Sequence, residues 1–224
     1  MIIPERGLTD SRKLENGQAR SGTLIVGITG GSGSGKSEFA KRLSKRLGPL
    51  AVSLSHDDYY KHLPSMTREE AEVYDFDSPD ALDTHLLVEH LKTLREGHPV
   101  DVPSYNFADH ARVEDARHVE PSPIIIVEGL LIMCIPELRS MLDLTIFIDV
   151  DSDLRVLRRI KRDCQDRGAD LERAIHLYQS TSRPAHEKLV EPFKKTADII
   201  VPDAMNDLAL ELIASGIESM QASA

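Results

Sequence analysis

Gly30-Gly-Ser-Gly-Ser-Gly-Lys-Ser37 decides the architecture of this chain, because a full G-x-x-x-x-G-K-[ST] pattern lies there between stretches of different periodicity. Upstream, Thr23-Leu-Ile-Val-Gly-Ile-Thr29 is a short apolar run, rich in β-branched residues, and reads as a buried strand. Downstream, Phe39, Ala40, Leu43 and Leu47 recur at helical spacing, with Lys41, Arg42, Lys45 and Arg46 outside that stripe. A strand feeding a helix through such a loop aims backbone N–H groups at a polyphosphate. Lys36 then reaches the β- and γ-phosphates, and the Ser37 hydroxyl meets Mg²⁺. Gly30, Gly31, Ser32, Gly33, Ser34, Gly35, Lys36 and Ser37 are therefore the expected nucleotide-binding set.

Working outward, the 224 residues suit one α/β domain with a sizeable core. The first 20 residues are polar with scattered charge and read as a loose tail ahead of a domain at 21–224. They lack the apolar core of a signal peptide, and no apolar stretch approaches the ~20 residues of a membrane span. A formal net charge of -10 argues against nucleic-acid or membrane-surface partners, which select basic surfaces. Cys134 and Cys164 have no metal-type spacing, and two thiols without that spacing fit a reducing, cytoplasmic setting.

Further apolar runs fall at 51–54, 124–127, 144–148 and 198–201, with helical patterns at 83–95, 154–164, 171–188 and 208–219. That alternation predicts a parallel sheet with helices on both faces, and ligands at the carboxyl ends of its strands. Residues 98–121 break the rhythm with prolines at 99, 103 and 121 and two-residue alternation, so they read as an inserted hairpin.

Four clusters carry candidate chemistry. Ser55-His-Asp-Asp-Tyr-Tyr60 follows the second run, where Asp57 or Asp58 is placed to accept a proton or hold Mg²⁺, or else caps a turn. Glu128-Gly129 closes the third run and puts another carboxylate at a strand tip. Six of the ten Tyr and Phe residues fall between 59 and 107, which suits either a pocket for a flat ring or a local mini-core. Finally, Arg155, Arg158, Arg159 and Arg162 share one helix face. In an acidic chain that face is either solvated or a cationic lid over a transferring phosphoryl group.

Gly-Ile-Thr-Gly-Gly-Ser-Gly-Ser-Gly-Lys-Ser (27–37), Leu-Ser-His-Asp-Asp-Tyr-Tyr (54–60), Tyr-Asp-Phe-Asp-Ser-Pro-Asp-Ala-Leu-Asp (74–83), Pro-Ser-Tyr-Asn-Phe-Ala-Asp-His (103–110), Val-Glu-Gly-Leu-Leu (127–131), Arg-Arg-Ile-Lys-Arg-Asp (158–163) and Ala-Asp-Ile-Ile-Val-Pro (197–202) together resemble the uridine/cytidine kinases. The resemblance covers most of the chain, and the 74–83 and 103–110 segments are its most specific parts. It implies a P-loop kinase sheet with an inserted hairpin and an Arg-rich helical lid. The implied reaction moves the γ-phosphoryl of ATP, or GTP, to the 5′-hydroxyl of a pyrimidine ribonucleoside, with Mg²⁺.

By position, the resemblance makes Asp57 the catalytic carboxylate, with Lys36, Arg162 and Arg167 acting on the phosphates. Ser37, Glu128 and Asp57 stand at the magnesium side, and Asn206 lies toward the nucleotide. Asp77 would hold the ribose, while Tyr60, Phe76, Tyr105, Phe107, His110, Leu130 and Arg159 would enclose the nucleoside. Relatives assemble as tetramers, which implies a homotetramer here. Departures stand at Ala169, where the family usually has Arg, at Leu177, usually Gln, and at Pro202-Asp203-Ala204, usually Pro-Arg-Gly. They leave open a different small hydroxyl acceptor. A third reading is a nucleotide-binding regulator with little turnover.

Overall fold

The computed structural model of the chain describes residues 22–63, 66, 70, 74–107, 111–166 and 168–222. The expected N-terminal tail lies outside them. Strand β1 (Leu24–Gly30) is buried along its whole length and occupies the middle of the sheet. Around it stand β2 (Ala51–Ser55), β5 (Ile124–Glu128), β6 (Leu144–Ile148) and β7 (Ile199–Val201), in the order β2-β5-β1-β6-β7. Every pair in this sheet is parallel. The inserted segment is an antiparallel hairpin, β3 (Val100–Asn106) with β4 (Ala111–Val119), interrupted by an irregularity between Val102 and Ser104. Pro103 sits at that break and has no N–H to give the ladder.

Alternation along β1 sends Val26 and Ile28 to one face and Ile25 to the other. On the first face they meet Phe39, Leu43 and Leu47 of α1 (Lys36–Leu47) and Leu210, Ile213 and Ile217 of α7 (Asp207–Ala222). On the second, Ile25, Leu54, Ile125 and Val127 pack on Leu87, Leu91 and Leu94 of α2 (Thr84–Arg95) and Leu138 of α3 (Pro136–Met141). Val100, Val102 and Val119 of the hairpin join that second core, which fixes the hairpin to the sheet domain.

The remaining α-helices given in full by the described residues are α4 (Ser152–Asp166), α5 (Leu171–Leu177) and α6 (Arg183–Leu189). The sequence pattern over 171–188 predicts one helix. The structure breaks it with a π-helical turn at Tyr178–Ser182. Pro184 offers no N–H to the Ser180 carbonyl, and the Ser180 and Thr181 hydroxyls back-bond to His176 and Leu177 carbonyls at 2.8 and 2.7 Å. Among the described residues, no helix is long and apolar enough to cross a membrane.

Candidate active site

Gly33 and Gly35 take φ of 80° and 88°, a left-handed backbone that favours glycine. Gly35 is the N-cap of α1 and has no side chain to occupy the first-turn N–H groups, which leaves that end free to meet an anion. Ser34 is fully buried, and its Oγ has no partner among the described residues. Lys36 is buried beside the acidic cluster described next. A helix end stripped of its own cap, an orphaned buried hydroxyl and a buried ammonium fit a bound phosphate chain.

Parallel pairing sets Ser55 of β2 opposite Glu128 of β5. Ser55 Oγ donates to Glu128 Oε1 at 2.6 Å, and Ser37 Oγ donates to Oε2 at 3.0 Å. Burial pushes the Glu128 carboxyl above its usual range, Lys36 opposes that shift, and the charge of Asp57 adds to it. Asp57 lies in the short helical turn His56–Tyr59 that follows β2, and its N–H is capped by Ser55 Oγ at 3.3 Å. Of the pair left open by the sequence, Asp57 is the one whose charge bears on Glu128 most strongly. Asp58 is pushed up to about 6, chiefly by burial, with Arg117 opposing. Two carboxylates and a hydroxyl converging beside the phosphate loop are the hard oxygen donors that Mg²⁺ takes together with substrate phosphates.

The arginines of α4 part company. Arg155 is the buried residue of that helix: its Nε donates to the Val150 carbonyl at 2.9 Å, and its Nη2 meets His186 Nε2 at 3.1 Å. A side chain at Gly31 would collide with the Arg155 guanidinium, so α4 is seated directly on the phosphate loop. Arg158 reaches the Gly33 carbonyl at 3.5 Å and Arg162 reaches Ser32 Oγ at 3.4 Å. Arg159 turns the other way. It grips both oxygens of Asp77 at 3.4 and 3.2 Å and pairs with Asp163 at 3.3 Å. Burial works against the charged guanidinium of Arg159, but Asp77 and Asp163 outweigh it and raise its pKa.

Four rings gather beyond Asp57. Tyr60 lies 6.1 Å from Phe76, 5.1 Å from Tyr105 and 5.9 Å from Phe107, centroid to centroid. Tyr105 and Phe107 are 5.2 Å apart, as their shared face predicts. The Tyr60 hydroxyl donates to the Phe76 carbonyl at 2.9 Å. Leu130 packs with Tyr60 on a small cluster that includes Leu82 and Phe147. Asp77, Arg159, Tyr60, Phe76, Tyr105, Phe107 and Leu130 thus border one region. His110 and Arg167 lie outside the described residues. Asn206 caps α7, its Oδ1 accepting from Ala209 N at 3.0 Å, so that oxygen is committed to the helix. Ala204 packs on Gly35, and its carbonyl holds Arg42 at 2.7 Å.

Sequence reasoning missed Ser55 as the partner of Glu128. Its place just before the acidic turn was the available signal. It also missed His56, Arg155 and Arg112 as packing or tethering groups, and for Arg112 no local pattern marks the role.

A parallel sheet bearing this loop, a hydroxyl-bound glutamate and an aspartate at adjoining strand ends, and an arginine helix across the loop defines a P-loop phosphotransferase. The chain belongs to the phosphoribulokinase / uridine kinase family, whose model matches residues 25–209. It is 41% identical over 199 residues to a uridine kinase of Clostridium perfringens, covering 88% of this chain and 96% of that protein. To a uridine kinase of Macrococcus caseolyticus it is 42% identical over 202 residues, covering 89% and 98%. Among solved structures, phosphoribulokinase from Rhodobacter spheroides superposes with a TM-score of 0.60 at 19% identity, over 82% of this chain and 73% of that one. That likeness bears on the fold.

Proposed function

We propose that this protein moves the γ-phosphoryl group of ATP to the 5′-hydroxyl of a pyrimidine ribonucleoside, converting uridine or cytidine to its monophosphate in pyrimidine salvage. The observation that carries the reading is the single turn His56–Tyr59, which contains Asp57 and is followed at once by Tyr60, and so delivers a proton acceptor and a ring-stacking wall together. The names of the relatives support the same acceptor.

In this reading the nucleoside lies against Tyr60, Phe76, Tyr105 and Phe107, and Asp77 meets the ribose hydroxyls. Arg159 already neutralises Asp77 and holds it in place, so the carboxylate is oriented before substrate arrives. Asp57 takes the proton of the attacking hydroxyl as the oxygen–phosphorus bond forms. Lys36, Arg158 and Arg162 draw charge from the phosphates while the bond to the departing diphosphate breaks. Ser37 and Glu128, with Asp57 close by, would hold Mg²⁺, which would supply neutralisation of the phosphate oxygens. Closure of α4 over the loop excludes water, which would otherwise compete as acceptor.

The same reading has ATP or GTP as donor, Asn206 toward the nucleotide, His110 at the base edge and Arg167 at the phosphates. It also has a homotetramer in the cytoplasm, without nucleic-acid or membrane partners. Nucleoside-dependent ATP consumption across uridine, cytidine, purine nucleosides and small alcohols tests it. Turnover highest with uridine or cytidine is expected, and turnover confined to a non-nucleoside alcohol would refute the acceptor.

A further inference from the structure

Arg112 stands on β4, outside the phosphate machinery, yet its side chain ends among the residues that carry the acid and the aromatic wall. Its Nε donates to the Tyr60 carbonyl at 2.9 Å, and its Nη2 donates to the Tyr59 carbonyl at 3.3 Å. The same Nη2 lies 3.2 Å from Asp83 Oδ2. Asp83 is itself committed at this junction: its Oδ1 caps α2 through Leu86 N at 3.3 Å, and its own N–H donates to the Tyr59 carbonyl at 2.8 Å. The backbone N–H of Arg112 donates to His62 Nδ1 at 3.0 Å. One hairpin residue therefore holds both carbonyls that follow Asp57 and Asp58, the cap of α2, and the next stretch of chain.

Register makes the arrangement meaningful. Arg112 pairs directly opposite Tyr105, so the two side chains share a face of the hairpin, and Tyr105 lies 5.1 Å from Tyr60. The hairpin thus touches the 56–60 turn twice, once through a ring and once through a guanidinium. Rings slide over one another at small cost. A planar fork bound to two carbonyls and a carboxylate does not.

We propose that Arg112 is a positioning residue for the acceptor: it clamps the hairpin to the turn carrying Asp57 and Tyr60, so that the ring pocket and the proton acceptor keep one geometry. The proposal rests on the reading of the aromatic region as the acceptor site. Arg112→Lys is the discriminating variant, because an ammonium keeps the charge facing Asp83 but cannot fork across both carbonyls. Arg112→Met removes both.

For Arg112→Lys the expected result is a KM for uridine or cytidine raised about tenfold or more, with the KM for ATP unchanged, since two charge-assisted hydrogen bonds are weakened away from the phosphate loop. Amide hydrogen exchange over residues 57–62 should also quicken by about tenfold, while β1 and α1 stay protected. The Met variant should go further, and if it does not fold, the Lys variant carries the test. A nucleoside KM unchanged by Arg112→Lys, or both KM values rising together with a general loss of protection, overturns the proposal. Should the parent turn over no nucleoside, the acceptor reading fails and exchange alone decides the clamp. Quickening confined to 57–62 sustains it, and unchanged exchange there overturns it.

Discussion

Replacing His56 by glutamine should remove much of the protein's sensitivity to mild acid. His56 is fully buried, next to Asp57 in the chain, with Nε2 at 3.0 Å from Thr84 Oγ1 and, among the described residues, no partner for Nδ1. Burial lowers its pKa from 6.5 to about 4, with the charge of Asp57 opposing in part. The imidazole is thus neutral in the fold, while the unfolded chain takes up a proton as pH falls through 6.5. Between the two values the unfolded state binds more protons, so stability rises with pH there and is lost on acidification. From about pH 7.5 to about pH 5 the loss comes to about 2 kcal/mol, using these two pKa values. For a domain of this size that is roughly 4–8 °C in Tm. Glutamine does not titrate and can keep one bond to Thr84. Urea denaturation of parent and His56→Gln at both pH values measures the difference directly, since other titrating groups are common to both. The parent should lose about 2 kcal/mol more than the variant. Equal losses would mean that His56 charges without penalty and is open to water in solution.

Asp57→Asn should leave the affinity for ATP near the parent's and lower turnover by about 10² or more, the range for a positioned base. Turnover within a few-fold of the parent would assign the proton to another group. Lys36→Ala should weaken binding of a non-hydrolysable ATP analogue by about tenfold or more in an equilibrium titration, because a buried ammonium in the G-x-x-x-x-G-K-[ST] loop would be lost. Ala169→Arg with Leu177→Gln should lower the KM for uridine or cytidine by about tenfold, with the KM for ATP unchanged, because polar partners return to a region where Ala and Leu offer none. No gain, with a micromolar parent KM, would show that the pocket is already complete.

Much of this architecture is legible in the chain because its signals are local. The phosphate loop carries its geometry in glycines at fixed positions. Core strands such as Ile124–Glu128 open on unbroken apolar runs, here 124–127, because both their faces are covered, and the Arg155-to-Arg162 spacing places a cationic face before any partner for it is known. The short helix Pro136–Met141 escapes notice because six residues hold less than two turns of periodicity. The π-helical turn at Tyr178–Ser182 escapes because a proline inside a helical pattern foretells an interruption without saying which kind. Contacts between distant elements are a different matter. Helix spacing alone puts Arg159 on one cationic face with Arg158 and Arg162, and it is its pairing with Asp77, 82 residues away, that separates it from them.

The acidic site shows most plainly why pattern alone stops short. Ser55, Asp57 and Glu128 act together because β2 and β5 pair with Ser55 opposite Glu128. Shift that register by one residue and every side chain of β2 changes face, since strand side chains alternate with period two. Leu54 would leave the core it shares with Leu87 and Leu91, and Ser55 could no longer donate to Glu128. The buried carboxylate would then lose one of its two hydroxyl partners while still facing the charge of Asp57. Burial of Leu54 therefore selects the one register in which the acids meet the phosphate loop, and the chemistry of the strand end is held in place by the packing of the residue just before it.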